Sequence, residues 1–68
     1  MSNWKHTSQN EWVNKDDNLK INVQQYSNGY KAKITNLNTH TVEDIVLYHT
    51  GQTHKEVLIK VTKYIRKN

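Results

Sequence analysis

The stretch Leu19-Lys20-Ile21-Asn22-Val23-Gln24-Gln25-Tyr26-Ser27-Asn28-Gly29-Tyr30-Lys31-Ala32-Lys33-Ile34 decides the fold. Asn-Gly favours positive φ at both central positions of a tight turn, so Asn28 and Gly29 read as the two-residue loop of a β-hairpin. That loop pairs Ser27 with Tyr30, Gln25 with Ala32, Val23 with Ile34 and Ile21 with Asn36. Side chains alternate between faces along a strand. Leu19, Ile21, Val23, Tyr30, Ala32 and Ile34 therefore share one face, and Lys20, Asn22, Gln24, Tyr26, Lys31, Lys33 and Thr35 share the other. A slip of one residue in either strand would turn lysines toward the core, so turn chemistry and alternation support the same pairing.

Working outward, the β-branched and aromatic run at residues 42–48 predicts a third strand after the polar connection at 36–41. Its facing is open, because Ile45 and Leu47 alternate with Val46 and Tyr48 and both sides carry apolar groups. Gly51-Gln52-Thr53 then breaks the pattern, and Thr53 followed by Glu56 is a capping box that opens a helix. Val57, Leu58, Val61, Tyr64 and Ile65 recur at helical spacing over an arc of about 120° that suits one face of the sheet. Lys60, Lys63, Arg66 and Lys67 fall on the remaining surface. Before Leu19, Trp4 and Glu11-Trp12-Val13 form either an extra strand turned at residues 15–18 or a loosely ordered start. The expected fold is a single α+β domain over residues 1–68: a three- or four-stranded antiparallel β-meander packed against one C-terminal α-helix, with 19–67 supplying sheet and helix.

Composition narrows the function. At 68 residues, without cysteine or proline, the chain buries only about 60% of its unfolded surface, and no disulfide reinforces the thin core. Association that covers an apolar patch or a sheet edge matters at this size. The longest aliphatic runs, Ile45-Val46-Leu47 and Val57-Leu58-Ile59, are far short of the roughly 20 residues that cross a bilayer. Residues 1–18 lack an apolar stretch and contain Glu11, Asp16 and Asp17, which fits no signal or transit peptide and predicts a cytoplasmic protein with no membrane partner. The abundance of Asn, Lys, Ile and Tyr suits an AT-rich genome such as that of a phage or other mobile element.

Chemistry-bearing constellations are sparse. His6, His40, His49 and His54 include no pair spaced for one helix face and have no cysteine to help; only His49, His54 and Asp44 flank a common turn, and exposed histidines at element ends are usually solvated. Ser2, Ser8 and Ser27 lie in polar or turn contexts. Glu43 and Asp44 are adjacent, so on a strand they point to opposite faces and make no matched acid and base. The expectation is no enzyme, no metal and no cofactor.

Surface patterns carry more. Lys20, Lys31 and Lys33 with Tyr26 on the outer sheet face, joined by Lys55 and Lys60, form a candidate nucleic-acid surface at a net charge of +4. The plainer reading is a solubilising face. A single arginine restricts any such contact to weak, mostly non-specific binding. Ile59 lies off the apolar arc, bracketed by Lys55, Lys63 and Arg66, and is expected to be exposed as part of a protein-interaction surface. Trp4 and Trp12 are interface anchors or core residues, and Val46 and Tyr48 join the interaction candidates if the third strand is two-faced. The leading expectation is a small protein-interaction module, an inhibitor or accessory protein that docks onto another protein or forms a homodimer; the alternative is a weak nucleic-acid-binding domain.

Gly29-Tyr30-Lys31-Ala32-Lys33-Ile34-Thr35-Asn36-Leu37 and Gly51-Gln52-Thr53-His54-Lys55-Glu56-Val57 together resemble the HicB-type antitoxin core, with its G-Y-x-V/A-x-hydrophobic strand and the G-x-T-x-x-E that opens its helix. The resemblance covers about 40 residues, much of which a hairpin and a capping box produce on physical grounds alone. It implies a module that docks onto and blocks a small protein. Thr35-Asn36-Leu37 stands where that family has Pro-Asp-Leu, the stretch from Leu37 to Gly51 is longer, and no DNA-binding segment follows Ile65. The run of strands into a helix with His54-Lys55 at its start is similar, more distantly, to a double-stranded-RNA-binding domain, without that domain's first helix.

Overall fold

In the computed structural model, which describes residues 3–67, a five-stranded antiparallel sheet carries one C-terminal helix across one face. The elements are β1 (Trp4–Ser8), β2 (Glu11–Asn14), β3 (Leu19–Tyr26), β4 (Gly29–Asn36), β5 (Thr41–Val46) and α1 (His54–Lys67). Spatial order follows chain order, so the sheet is a meander with β1 and β5 at its edges.

The N-terminal segment supplies two strands where at most one was expected. Trp4 pairs with Asn14, Lys5 with Val13 and His6 with Trp12. β1 is polar and mostly exposed because it is an edge, which is why its sequence lacks a strand's usual apolar alternation. Trp12 sits opposite Ile21 and is buried, with His6 stacked on it at 4.3 Å between ring centroids.

The central hairpin keeps its predicted faces but not its predicted loop. Tyr26 pairs with Gly29, Val23 with Ala32 and Ile21 with Ile34, so Ser27 and Asn28 form the turn. Each strand is displaced by one residue in the same sense. The parity of the pairing is preserved, and every side chain stays on its expected side. Positive φ at Asn28 and Gly29 was the premise of the predicted loop, yet the described residues with positive φ are Asn18, His40 and Gly51. Gly29 answers a different need: a β-carbon there would collide with the backbone carbonyl oxygen of His49.

β5 ends earlier than the predicted strand and resolves its ambiguous facing through a bulge. Lys33 pairs with Asp44 but Ala32 pairs with Val46, which leaves Ile45 as the extra residue. Glu43 and Val46 consequently face the helix side, whereas Val42 and Asp44 face the outer side. Leu47 and Tyr48 lie beyond the strand and are exposed.

The core comprises Trp12, Ile21, Val23, Ala32 and Val46 from the sheet with Val57 and Val61 from the helix. Burying a valine side chain fully contributes about 1.5–3 kcal/mol, and Val57 and Val61 are both completely buried. Leu58, Tyr64 and Ile65 pack around them, as the helical spacing predicts. The capping box forms: the Glu56 amide donates to Thr53 Oγ1 at 3.2 Å, and the Thr53 amide donates to Glu56 Oε1 at 3.0 Å.

Polar residues fix the connections. The Asn36 side-chain oxygen accepts from the amides of Asn38 and Thr39, while the Asn18 side chain donates to Asn38 Oδ1 at 2.8 Å. The Leu37 amide donates to the Asn18 carbonyl, which ties the β2–β3 and β4–β5 turns together. The many asparagines here are turn-formers. At the opposite end, buried Gln52 donates to the carbonyls of Tyr30 and Leu47 at 2.8 and 3.0 Å, and its own oxygen accepts from Lys60 Nζ at 2.7 Å. One side chain thus joins β4, the segment after β5 and the helix.

Candidate interaction surface

The two predicted groups of surface residues are rearranged by the fold. Trp12 and Val46, both among the interaction candidates, are buried in the core on the helix side of the sheet. Trp4 is half-buried and packs against the core. Tyr48 and Ile59 remain exposed, at 38% and 48%.

On the outer sheet face, register assembles rows across the strands. One row runs Lys5, Val13, Lys20, Thr35, Val42, and the next runs Glu11, Asn22, Lys33, Asp44. Lys33 therefore lies directly opposite Asp44. Lys31 makes an ion pair with the same carboxylate at 3.2 Å and stands 5.3 Å from the Tyr26 ring. The Asp44 hydrogen bond is the foremost reason the Lys31 ammonium is held above its ordinary range, opposed by partial desolvation and aided by the Asp44 charge and Tyr26. Tyr26 also meets Tyr48 edge to face at 5.6 Å, so a residue from each candidate group joins one aromatic pair.

The predicted basic platform is thus interleaved with acid. Outside α1, the cations Lys5, Lys15, Lys20, Lys31 and Lys33 are matched in number by Glu11, Asp16, Asp17, Glu43 and Asp44. Within α1, Lys55, Lys60, Lys63, Arg66 and Lys67 face only Glu56. The whole formal charge of +4 therefore resides on the helix, and the rest of the chain is formally neutral. This segregation is visible in the sequence, provided acids are counted beside the lysines.

Two hollows flank the helix. One brings Ile59 together with Lys55, Leu58, Thr62, Lys63 and Arg66, the cation-ringed apolar spot expected from the sequence. The other is a groove of ≈ 390 Å³ between α1 and the β5 edge, formed by Ile45, Val46, Leu47, His49, Lys60, Lys63, Tyr64 and Lys67. Leu47 is 63% exposed, the greatest exposure among the large apolar side chains described. Leu47, Lys63 and Lys67 were absent from the expected interaction and nucleic-acid candidates; the bulge at Ile45, which places this edge beside the helix, leaves no mark in a single-sequence pattern. Lys60, expected on a nucleic-acid surface, instead holds Gln52.

The histidines disperse among these features. His6 stacks on Trp12, His54 lies 5.1 Å from the Tyr30 ring with its Nε2 against Asn10 Oδ1, and His40 occupies a turn at φ 58°. Among the described residues no three of His, Cys, Asp and Glu converge as a metal-binding group. Among the described residues no helix is long and apolar enough to cross a membrane.

The chain matches no protein-family model, no curated protein and no solved structure. Its geometry is the basis for a functional reading.

Proposed function

We propose that the chain is a non-enzymatic protein-interaction module, a small inhibitor or accessory protein that docks onto a partner protein through α1 and the adjoining β5 edge. One observation carries this reading: the net charge of +4 resides on the helix, where the exposed apolar residues Leu47 and Ile59 lie on or beside it, whereas the rest of the chain is formally neutral. Apolar contacts rimmed by cations provide both an anchoring area and electrostatic steering toward an acidic surface. The partial likeness to a HicB-type antitoxin core fits the same kind of role, and phage or mobile-element origin suits a short blocking protein.

The alternative, weak and mostly non-specific nucleic-acid binding, draws on the same helical charge. Arg66 is the single arginine, which leaves lysine point charges rather than bidentate recognition. Affinity capture from a lysate of the source organism separates the readings when repeated with K63E/K67E and after nuclease treatment. Under the leading reading, a protein is retained by the native chain despite nuclease, and its loss from the variant places the contact on the Lys63 and Lys67 side of α1. Nuclease-sensitive capture in the absence of a retained protein favours the alternative. Light scattering with size-exclusion chromatography identifies a homodimer as the partner complex if the mass doubles.

A further inference from the structure

We infer that the groove between α1 and β5 receives an extended acidic segment of a partner protein, with one large apolar side chain of that segment seated against Leu47, Ile45 and Tyr64. This inference rests on the interaction-module reading and names its site and ligand chemistry. The groove has the apolar floor that an anchoring side chain requires. Its helical wall presents Lys60, Lys63 and Lys67 at intervals that place them along one side of α1, and His49 stands at its rim. Lys60 is occupied in part by Gln52 Oε1, so Lys63 and Lys67 supply most of the recognition.

Neither acid on β5 lines the groove. Glu43 lines the neighbouring hollow with Leu19, Ile34, Asn36, Thr41 and Tyr64, and Asp44 faces the other side of the sheet, where it holds Lys31. An anionic ligand is therefore favoured on the helix-facing flank. The extended conformation follows from β5 being an edge strand, whose free side accepts a chain lying alongside. A nucleic-acid duplex fits less well, because its phosphates supply charge but no apolar group for Leu47.

The test uses the full chain and a synthetic peptide in which Asp and Glu alternate with Leu, titrated by fluorescence anisotropy and by amide chemical shifts. The expected result is saturable binding with shifts concentrated at Ile45, Leu47, His49, Lys63, Tyr64 and Lys67. Affinity falls at least tenfold in K63E/K67E and in L47D, while K33E on the outer sheet face leaves it within twofold. Circular dichroism establishes that the variants remain folded. Equal binding of an all-acidic peptide lacking Leu, tighter binding of a short duplex at the same residues, or shifts confined elsewhere each overturn the assignment. Partner capture that survives both K63E/K67E and L47D rejects this groove yet leaves the module reading standing; loss of capture even by the native chain removes that reading itself.

Discussion

The backbone carbonyl of His49 lies against Gly29, in the space that a β-carbon on Gly29 would occupy. The Gly51 amide donates to the Asn28 carbonyl beside it, so the segment between β5 and α1 is pressed onto the tip of the central hairpin. This contact, more than turn conformation, explains a glycine at position 29. It also sets the path by which the chain leaves β5, passes Leu47 and Tyr48, and enters the helix.

The two glycines should consequently respond differently to substitution. Gly29→Ala forces backbone against backbone, with an expected loss of about 2 kcal/mol. Gly51 has open space around its α-carbon but φ of 83°, so Gly51→Ala costs about 1–2 kcal/mol through conformation alone. Asparagine tolerates the left-handed region, and Gly51→Asn should recover part of that loss, whereas Gly29→Asn should recover none. Urea unfolding of the four variants measures this contrast.

Gln52 provides a second check on the same end of the molecule. Its amide nitrogen donates to two carbonyls inside the fold. Gln52→Glu replaces that donor with a carboxylate facing both oxygens, an arrangement expected to cost about 3 kcal/mol at neutral pH and less in acid, where the protonated carboxyl can donate once. Gln52→Ala should cost about 2 kcal/mol with little pH dependence of its own. Denaturation midpoints at neutral and acidic pH distinguish them; an equal loss at both pH values for Gln52→Glu contradicts the hydrogen-bond assignment.

These two sites mark the limit of what the sequence discloses. Alternation in residues 19–34 is set by local stereochemistry, so the faces of β3 and β4 are legible without coordinates. The capping box and the arc through Val57 and Val61 are equally local. By contrast, the contact of Gly29 with His49 and the bonds from Gln52 join residues distant in sequence, and the Ile45 bulge arises where β5 meets β4. A tight-turn motif suggested Asn28-Gly29 as the loop, but tertiary packing selected Ser27-Asn28. β1 was obscured because an exposed edge strand needs few apolar residues. For the interaction surface, Ile59 and its cations were legible as a helical cluster, while Leu47 became meaningful only beside Lys63 and Lys67.

Acid should loosen the start of α1. Glu56 is held below its ordinary range chiefly by the Thr53 backbone hydrogen bond, then by the Thr53 hydroxyl, with a smaller contribution from the Lys60 charge. A depressed carboxylate pKa stabilises the fold fully above the unfolded value of about 4.5, and the contribution disappears as pH falls through the lower folded value. Glu56→Gln should therefore flatten stability against pH in that acidic window. Thr53→Ala removes the cap acceptor at about 1 kcal/mol and should also raise the Glu56 pKa, measured by carboxyl chemical-shift titration. An unchanged Glu56 titration in Thr53→Ala would disprove the coupling.

Charge segregation makes the sharpest prediction about polyanions. In the native chain, Lys31 is ion-paired with Asp44, and Lys33 and Glu11 lie in the same row of the outer face as that carboxylate. A short duplex at low salt should therefore perturb amides of α1 before those of the sheet, since attraction follows net local charge rather than lysine number. Glu11→Gln combined with Asp44→Asn removes two negative charges from the outer face while leaving the helix unaltered. The variant should gain duplex affinity, show a steeper decline with salt, and acquire shifts at Lys31 and Lys33. If the native sheet responds first, its lysines act together despite their acidic neighbours, and the assignment of the attractive field to the helix fails.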